Sequence, residues 1–518
     1  MGSFDQVIIR NARRFPNRVA SKFGELSMTY SELNRRLNRL VNGLSGLGLQ
    51  RGDHVAFFAK NCHHYLEGLF GAAKGGYALV TINFMLKERE LAYILQHSEA
   101  KAVIFQSQFA PLIAAAAKSC PGLRQLIAIG DPVASALSYE DLLASAAETE
   151  PEVSIRDDDL LLLVYTSGTT GQPKGVMLSQ RNVLSNAIDS VTGVELGQDT
   201  VNLNVCPLHH VAASVLQTYT TFYIGGTSVT LEAFDPQIVL QTIERERVNF
   251  TFLVPTMIFR MLELPDAQRY DLSSLRKVGY GAAPMPIDRL KKAIPLFGPV
   301  LFQGYGLTES TANVCILRPE DHDLSAPEDR RARLRSCGRE HSNHELRVVG
   351  LDDLELPPGE VGEIVLKSPS VMEGYWKNSP ATREALRGGW LHTGDMAYMD
   401  ADGYIYLVDR KHDLIISGGE NVYPKEIEEV LFSHPAVLEA AVCGVPHADR
   451  GEVPKAFVVL REGRGATGEE IIAYCQQNLA RYKCPREVMF LKELPKTASG
   501  KITRAGVKRL YISRLSEE

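Results

Sequence analysis

An apolar run that ends in a loop rich in glycine, serine and threonine constrains the fold of this chain most. The segment reads LLLLVYTSGTTGQPKGV, from Leu160 to Val176. Continuous apolar runs of this kind are typical of strands buried on both faces, which occur in sheets covered by helices. We therefore expect a buried strand that delivers its loop to one edge of an α/β sheet.

The neighbouring sequence supports an α/β fold. TYSEL predicts the start of a helix, because Thr29 can cap it and Glu32 stands three residues later, as in a capping box. The strand-like runs HVAFFA, ALVTINF and KAVIFQS alternate with helical stretches before the loop. Such alternation is typical of layered α/β subdomains.

The pattern changes twice toward the C-terminus. Between Leu346 and Leu407, short strand-like runs are separated by Gly, Pro and Asp-Gly breaks, which predicts a β-rich subdomain. After Arg410 the order helix, strand, strand, helix, strand predicts a compact α+β unit. We predict an N-terminal domain of residues 1–410 and a C-terminal domain of residues 411–518.

Composition and charge exclude several classes of protein. A net charge of −6 provides no overall basic field for nucleic acid. The eight cysteines are scattered and lack metal-binding spacing, so we expect reduced thiols and a cytoplasmic location. Neither a secretory signal nor an apolar run of about eighteen residues occurs, so we expect no membrane span, while peripheral membrane contact stays open.

The glycine-rich loop has the chemistry of an anion-binding cradle. Its spacing fails the Walker A pattern, because Gly168 is followed by Gly171 and then Lys174. Glycines let backbone N–H groups converge on phosphate oxygens, hydroxyl groups add donors, and the lysine adds positive charge. Composition alone leaves open an ordinary connecting loop or a phosphate loop formed by Thr166, Ser167, Gly168, Thr169, Thr170 and Lys174.

The order of the residues in this loop is more specific than its composition. YTSGTTGQPKGV closely resembles the phosphate loop of the adenylate-forming superfamily, which includes acyl-CoA and aryl-CoA synthetases. The family's other motifs follow in order as GYGAAP, QGYGLTES, LHTGD, YLVDR, SGGENVYPKEIE and PKTASGKITR. The resemblance covers nearly the whole chain, from TYSEL to GKITR.

The resemblance implies a two-step reaction that uses ATP, Mg²⁺ and coenzyme A. A small-molecule carboxylic acid attacks the α-phosphorus of ATP and gives acyl-AMP and pyrophosphate; a thiol then attacks the acyl carbon and expels AMP. Charge governs both steps, because a carboxylate that approaches a triphosphate is repelled unless the site supplies positive groups. The implied fold has a large N-terminal domain and a small mobile C-terminal domain.

The resemblance also implies a role for each residue of the nucleotide site. Glu309 would bind Mg²⁺, Thr308 would bond the α-phosphate, and Tyr305 would stack against adenine. Asp395 and Arg410 would hold the ribose, since an ionised carboxylate accepts from hydroxyl groups. The adenine-binding segments also contain Gly281, Ala282, Ala283, Gly304 and Gly306.

Residues near the C-terminus are implied to serve the two steps in turn. Lys501 of KITR would enter the site during adenylation, and rotation of the small domain about His412 would then present the SGGEN loop. Gly418 and Gly419 would let this loop lie against a narrow thiol channel. His412 is a departure, because Asp or Lys is usual at the hinge.

The acyl site is the least specific part of the resemblance. His210 matches the residue that guards the carboxylate site, although His209 stands where the family usually has Phe. The acyl pocket is expected to include Val211, Ala212, Ser214, Thr256, Met257 and Tyr280. These residues suit a fatty chain or an aromatic ring.

Several alternatives stay open beside a fatty-acid CoA synthetase, the interpretation that we favour. The chain ends soon after Arg504 without room for a carrier domain, so we expect free coenzyme A as the thiol. An aryl-acid CoA ligase, an acyl-AMP ligase that loads another thiol, and a homodimer all fit the sequence. Outside the class, a P-loop kinase would release ADP, and a non-catalytic relative would be free to lose Glu309, Asp395 and Lys501.

Overall fold

The computed structural model of the chain describes residues 3–166, 172–283, 285–411, 413–417, 420–447, 450–496 and 502–515. Eight of the residues to which the resemblance gives a role lie outside the described residues: Ser167, Gly168, Thr169, Thr170, His412, Gly418, Gly419 and Lys501.

The described residues form the following regular elements. The strands are β1 (Val19–Phe23), β2 (Leu26–Thr29), β3 (His54–Phe58), β4 (Ala78–Thr81), β5 (Ala102–Gln106), β6 (Gln125–Ile129), β7 (Leu137–Ser138), β8 (Leu160–Thr166), β9 (Lys174–Ser179), β10 (Val201–Asn204), β11 (Thr227–Thr230), β12 (Phe250–Leu253), β13 (Lys277–Gly281), β14 (Leu301–Gly306), β15 (Asn313–Leu317), β16 (Arg339–Glu340), β17 (Glu345–Val349), β18 (Gly362–Lys367), β19 (Gly374–Tyr375), β20 (Leu391–Met399), β21 (Ile405–Arg410), β22 (Ile415–Ser417), β23 (Glu420–Val422), β24 (Val437–His447), β25 (Gly451–Leu460) and β26 (Glu487–Phe490). The helices are α1 (Phe4–Arg14), α2 (Tyr30–Gly46), α3 (His63–Gly75), α4 (Glu88–His97), α5 (Ala110–Ala117), α6 (Tyr139–Ser145), α7 (Gln180–Val194), α8 (Thr220–Ile224), α9 (Pro236–Glu246), α10 (Pro255–Leu262), α11 (Ile287–Phe297), α12 (Glu328–Arg331), α13 (Ser379–Ala385), α14 (Pro424–Ser433), α15 (Gly468–Asn478) and α16 (Arg504–Leu515).

Two large sheets carry the N-terminal part of the chain. The first has the strand order β19-β9-β8-β4-β3-β5-β6-β7, and the second has the order β16-β15-β14-β13-β12-β10-β11-β1-β2. One apolar core joins both sheets, because Phe57 and Val278 belong to the same buried cluster as Leu37 of α2 and Phe70 of α3. A second cluster covers the other face of the first sheet, where Phe58 packs with α4 and α5. The layered α/β architecture is confirmed.

The apolar run that opens the phosphate-loop segment forms a buried strand, as expected. Strand β8 pairs in parallel with β4 on one side and antiparallel with β9 on the other. The glycine-rich segment therefore connects two antiparallel neighbours, with Thr166 of β8 opposite Lys174 of β9. This pairing places both ends of the loop at the same edge of the sheet.

The other predicted elements are also present. Thr29 caps α2 in a reciprocal capping box, in which the Glu32 N–H donates to Thr29 and the Thr29 N–H donates to Glu32. Strands β17, β18, β20 and β21 form a four-stranded antiparallel sheet, which confirms the β-rich subdomain. The C-terminal part contains α14, β24, β25, α15 and β26 in the predicted order. None of the described helices combines the length and apolar character needed to cross a membrane.

Candidate active site

A cleft of about 2830 Å³ lies where several loops leave the two large sheets. Strands β10, β12, β13 and β14 are parallel, and residues just beyond their carboxyl ends line the cleft. In open α/β sheets this edge is the usual position of a ligand crevice. The cleft walls include these residues of the predicted site: Thr166, Lys174, His210, Val211, Ala212, Thr256, Gly281, Ala282, Ala283, Gly304, Tyr305, Gly306, Thr308, Glu309, Asp395 and Arg410.

The carboxyl ends of β13 and β14 leave little space beside their backbones. A Cβ atom on Gly281 would lie 2.2 Å from the carbonyl oxygen of Gly304, and one on Gly306 would lie 1.7 Å from that of Ala312. Ala282 adopts a φ of 62°, a left-handed conformation that costs energy in a residue with a side chain. Strain of this kind is concentrated at functional sites, where the surrounding structure holds it in place.

Asp395 on the β-rich sheet accepts a hydrogen bond from Tyr305, the tyrosine of QGYGLTES. Asp395 and Arg410 are directly opposite in the antiparallel pair β20 and β21, and Arg410 Nε lies 3.2 Å from Asp395 Oδ1. The Tyr305 hydroxyl donates to Asp395 Oδ2 over 2.8 Å. Burial, and then the negative charge of Asp395, raise the pKa of Tyr305, so it stays a donor. These two partners leave further lone pairs on the carboxylate for hydroxyl groups of a ligand.

Glu309 and Lys174 both contact the side chain of Tyr375. The Tyr375 hydroxyl donates to Glu309 Oε1 over 2.9 Å, and Lys174 Nζ lies 5.0 Å from the centroid of the Tyr375 ring. Tyr375 was not among the residues expected from the sequence. It stands 66 residues from Glu309 in the chain, and no local motif connects the two.

The Glu309 carboxylate fits a magnesium ion. It is half-buried on the cleft wall, and a carboxylate oxygen is the hard ligand that Mg²⁺ prefers. Mg²⁺ commonly takes one or two carboxylates from a protein and completes its shell with phosphate oxygens and water. A single acidic residue beside the lysine of the phosphate loop therefore suits a cation that arrives with a nucleotide.

His210 lies between β10 and a π-helix that spans Ala212–Tyr219. Its Nε2 atom is enclosed and has no hydrogen-bond partner among the described residues. Burial lowers the pKa of His210 to about 4, so the ring is neutral near pH 7. His209 is buried as well, and the centroids of the two rings are 4.3 Å apart. His210 itself lines the cleft, but its Nε2 atom is covered by neighbouring atoms in this conformation.

Three residues expected in the acyl pocket lie behind the cleft wall. Tyr280 is fully buried, and its hydroxyl donates to Nε2 of His322 over 2.9 Å, because His322 Nδ1 donates to the Arg318 carbonyl. The hydroxyl of Ser214 donates to the His210 carbonyl oxygen. Met257 packs its sulfur 3.9 Å from the Cys206 sulfur. The other expected pocket residues, Val211, Ala212 and Thr256, line the cleft.

A cluster of charges joins the β-rich sheet to the C-terminal part of the chain. Arg504 at the start of α16 donates to Asp409 of β21, to Asp413 and to both oxygens of Glu428 in α14. The second oxygen of Asp409 accepts from the Lys425 N–H over 2.9 Å. Burial opposes the charge on Arg504, but the carboxylates around it prevail and raise its pKa.

A buried polar chain lies behind the Glu309 loop. Asp189 Oδ1 accepts from Asn343, and Asp189 Oδ2 lies 3.7 Å from His344 Nδ1. His344 Nε2 is 3.0 Å from the Ser370 hydroxyl oxygen, and the Ser370 carbonyl accepts from Thr311, two residues after Glu309. Burial raises the pKa of Asp189 to about 6 and lowers that of His344 to about 3.

Comparisons with known proteins agree with this geometry. The chain matches the family described as AMP-binding enzyme over residues 8–376 and the AMP-binding enzyme C-terminal domain over residues 426–501. It is 39% identical over 503 residues to a feruloyl-CoA synthase of Amycolatopsis sp, which covers 97% of this chain and 98% of that protein. It is 36% identical over 489 residues to the long-chain-fatty-acid–CoA ligase FadD13 of Mycobacterium tuberculosis. This alignment covers 94% of this chain and 94% of that protein.

A solved structure extends the likeness to three dimensions. The anthranilate CoA ligase AuaEII in complex with anthranoyl-AMP superposes with a TM-score of 0.91 at 29% sequence identity. The match covers 99% of this chain and 98% of that one, so it includes the C-terminal part as well as the two large sheets.

Proposed function

The chain belongs to the AMP-binding enzyme family and is an AMP-forming acid–CoA ligase, and on this premise we propose that its acid substrate carries an aromatic ring. The reaction converts a carboxylic acid, ATP and coenzyme A to acyl-CoA, AMP and pyrophosphate through an acyl-adenylate. The main support for an aromatic substrate is the 39% identity to feruloyl-CoA synthase over 97% of the chain. The likeness to the anthranilate ligase supports the same class of acid.

Part of the cleft wall is compatible with an aromatic acid. Phe252, Val254 and Phe259 line the cleft, and apolar side chains, the two phenyl rings above all, pack well against an aromatic ring. A fatty acid is the second candidate, because FadD13 is 36% identical and an apolar wall also suits an alkyl chain.

We assign the nucleotide contacts as follows. Lys174 places a positive charge at the phosphates, and Thr308 donates its hydroxyl group to the α-phosphate. Glu309 holds Mg²⁺, which neutralises phosphate charge when it is bound. Tyr305 packs against adenine, and Asp395 accepts from the ribose hydroxyl groups. The support for these roles is that all five side chains line one cleft.

His210 serves the carboxylate of the acid in this proposal. Its neutral ring cannot attract the carboxylate as a full charge, but a ring protonated at Nε2 can donate one directed hydrogen bond once it turns this enclosed atom toward the cleft. Such a bond orients the attacking oxygen without trapping the substrate in an ion pair. The positive charge for the transition state then comes from Lys174, Arg410 and, by resemblance, Lys501.

We further propose that residues 1–410 and 411–518 are two domains that change their relative orientation between the half-reactions. The apolar clusters of the C-terminal sheet are separate from the core of the large sheets, which supports this division. The roles of His412 as hinge and of Gly418 and Gly419 beside the thiol channel rest on the resemblance alone. A cytoplasmic location is supported by eight free cysteines. A homodimer stays a prediction.

A panel of carbon-matched acids tests the proposed substrate. Pyrophosphate release is measured with ATP and each acid, with and without coenzyme A, for pairs such as cinnamate with nonanoate and phenylacetate with octanoate. We expect kcat/KM to favour the aromatic member of each pair by about tenfold or more, since filling a shaped apolar pocket discriminates on that scale. Equal or higher values for the alkyl acids would reject the aromatic substrate in favour of the fatty-acid candidate.

A further inference from the structure

Tyr375 is held in place by backbone contacts on both sides. It pairs with Val176 in the β19 and β9 ladder, so it sits next to the strand that begins at Lys174. Its N–H donates to the Thr382 hydroxyl over 2.9 Å. The position of its backbone is therefore set by the sheet and by Thr382, independently of the side chains that its ring and hydroxyl group contact in the cleft.

The same segment also holds the Glu309 loop. The Met372 N–H donates to the Glu309 carbonyl oxygen over 2.9 Å, and the Trp376 N–H donates to the Gly175 carbonyl oxygen over 2.8 Å. The stretch from Met372 to Trp376 thus joins the phosphate-loop strand to the loop that carries Glu309. Two parts of the site that are far apart in sequence are fixed relative to each other by these bonds.

We propose that Tyr375 is a positioning residue for the adenylation step: its hydroxyl group orients the Glu309 carboxylate toward the cation that accompanies ATP, and its ring orients Lys174. This inference rests on the proposed role of Glu309 as the magnesium ligand. The hydroxyl bond occupies one lone pair of Oε1 and restricts rotation of the carboxylate.

The chemistry of the tyrosine suits both tasks. A tyrosine hydroxyl group is protonated at neutral pH, so it acts as a donor to the Glu309 carboxylate. The electron-rich face of the ring attracts the Lys174 ammonium group. In the described part of the chain, Lys174 and Glu309 form no ion pair with each other, so both charges remain available to ligands.

Two substitutions of Tyr375 separate its two contacts. Tyr375→Phe removes the hydroxyl group and keeps the ring, whereas Tyr375→Leu removes both. The full-length enzyme is titrated with ATP in the presence and absence of Mg²⁺ by calorimetry, and pyrophosphate release is measured as a function of Mg²⁺ concentration. These measurements distinguish a specific change in Mg²⁺ dependence from a general loss of structure.

The two variants should differ in how they bind the nucleotide. We expect Tyr375→Phe to weaken the enhancement of ATP binding by Mg²⁺ about ten- to hundredfold, as is typical when a group that orients a metal ligand is removed. In Tyr375→Phe, ATP binding without Mg²⁺ should stay unchanged. A high Mg²⁺ concentration should restore part of its rate of pyrophosphate release. Tyr375→Leu should also weaken ATP binding without Mg²⁺, because Lys174 loses the ring.

Tyr404→Phe is a matched control. The Tyr404 hydroxyl donates to Asp321 over 2.8 Å, and its ring lies 4.4 Å from the Arg333 guanidinium, so it too joins a carboxylate and a cation. Tyr404 lies outside the residues that line the cleft. Tyr404→Phe should lose about as much thermal stability as Tyr375→Phe, but its ATP binding should depend on Mg²⁺ as in the wild type.

The outcomes distinguish this inference from the proposed function. If Tyr375→Phe binds ATP with the same dependence on Mg²⁺ as the wild type, while Glu309→Gln loses that dependence, Tyr375 does not position the carboxylate. If Glu309→Gln also keeps it, the proposed role of Glu309 is wrong, and the inference about Tyr375 is wrong with it. In both cases the release of AMP and pyrophosphate would still identify the ligase reaction.

Discussion

Replacement of Asp409 by asparagine should alter the balance between the two half-reactions. Asp409 Oδ1 accepts from Arg504 and from the Arg410 N–H, and Oδ2 accepts from the Lys425 N–H. An asparagine of the same shape keeps only one acceptor oxygen. Its NH₂ group must therefore face either Arg504 or the Lys425 N–H. Both are hydrogen-bond donors, so the bond on that side is lost.

The size of the effect follows from burial and charge. The Asp409 side chain is 2% exposed and that of Arg504 is 20% exposed, so water can replace little of the lost bond. A hydrogen bond to a charged group contributes about 1.5–3 kcal/mol, and we take about 2 kcal/mol for this site. Because the bond spans the proposed domain boundary, this free energy acts mainly on domain orientation and corresponds to about a 30-fold shift.

Separate assays of the half-reactions measure this shift. Residues Ile502, Thr503 and Arg504 line the same cleft as Asp395, so the bond between Asp409 and Arg504 holds this part of the chain beside the proposed nucleotide site. We therefore expect Asp409→Asn to slow pyrophosphate formation from acid and ATP by at least about tenfold. Formation of acyl-CoA from supplied acyl-AMP should be unchanged or faster.

Asp402→Asn is the matched control, because Asp402 also pairs with an arginine, Arg333, but is 63% exposed and lies away from the boundary. It should leave both half-reactions intact. Equal slowing of both half-reactions in Asp409→Asn, or no slowing of either, would refute the reasoning about domain orientation.

Three further predictions concern single sites. Gly306→Ala should lower the free energy of unfolding by at least about 2 kcal/mol in chemical denaturation, since its Cβ would lie 1.7 Å from a backbone oxygen; unchanged stability would contradict this. Burial raises the pKa of Asp189 to about 6, above its ordinary value, so ionisation of this carboxyl group costs stability as the pH rises from about 4 to about 6. Asp189→Asn should therefore stabilise the fold by about 3 kcal/mol above about pH 6 and by less as the pH falls toward about 4. A gain that is equal at both ends of this pH range would refute the argument. Lys501→Ala should abolish adenylation and spare thioester formation, and equal loss of both steps would count against the role that resemblance gives to Lys501.

Short-range patterns in the sequence were sufficient for much of the fold. The capping box at Thr29, the buried strand β8 and the order of elements after Arg410 depend on neighbours a few residues apart, and all three are confirmed. The motifs likewise identified the family, because phosphate and ribose contacts need particular residue types at fixed local spacings.

The acyl pocket illustrates where sequence reasoning stops. Ser214 stands four residues after His210 and was expected on the pocket wall, but it lies in a π-helix, and its hydroxyl group turns back to the His210 carbonyl oxygen. A π-helix has a wider turn than an α-helix, so the direction of each side chain cannot be read from ordinary helical periodicity. Tyr280 is fully buried behind the cleft wall, and its hydroxyl group bonds His322, which is 42 residues away.

The sequence by itself thus determined the family and the order of most elements, and it predicted the residues that would bind the nucleotide. Only the tertiary structure decided which distant residues support them: Tyr375 beside Glu309, and Arg504 beside Asp409. Such pairs leave no local pattern, since each partner is an ordinary polar residue in its own segment. They come together because the tertiary structure packs a strand of one sheet against a loop or helix from another part of the chain, and burial then makes each hydrogen bond costly to lose.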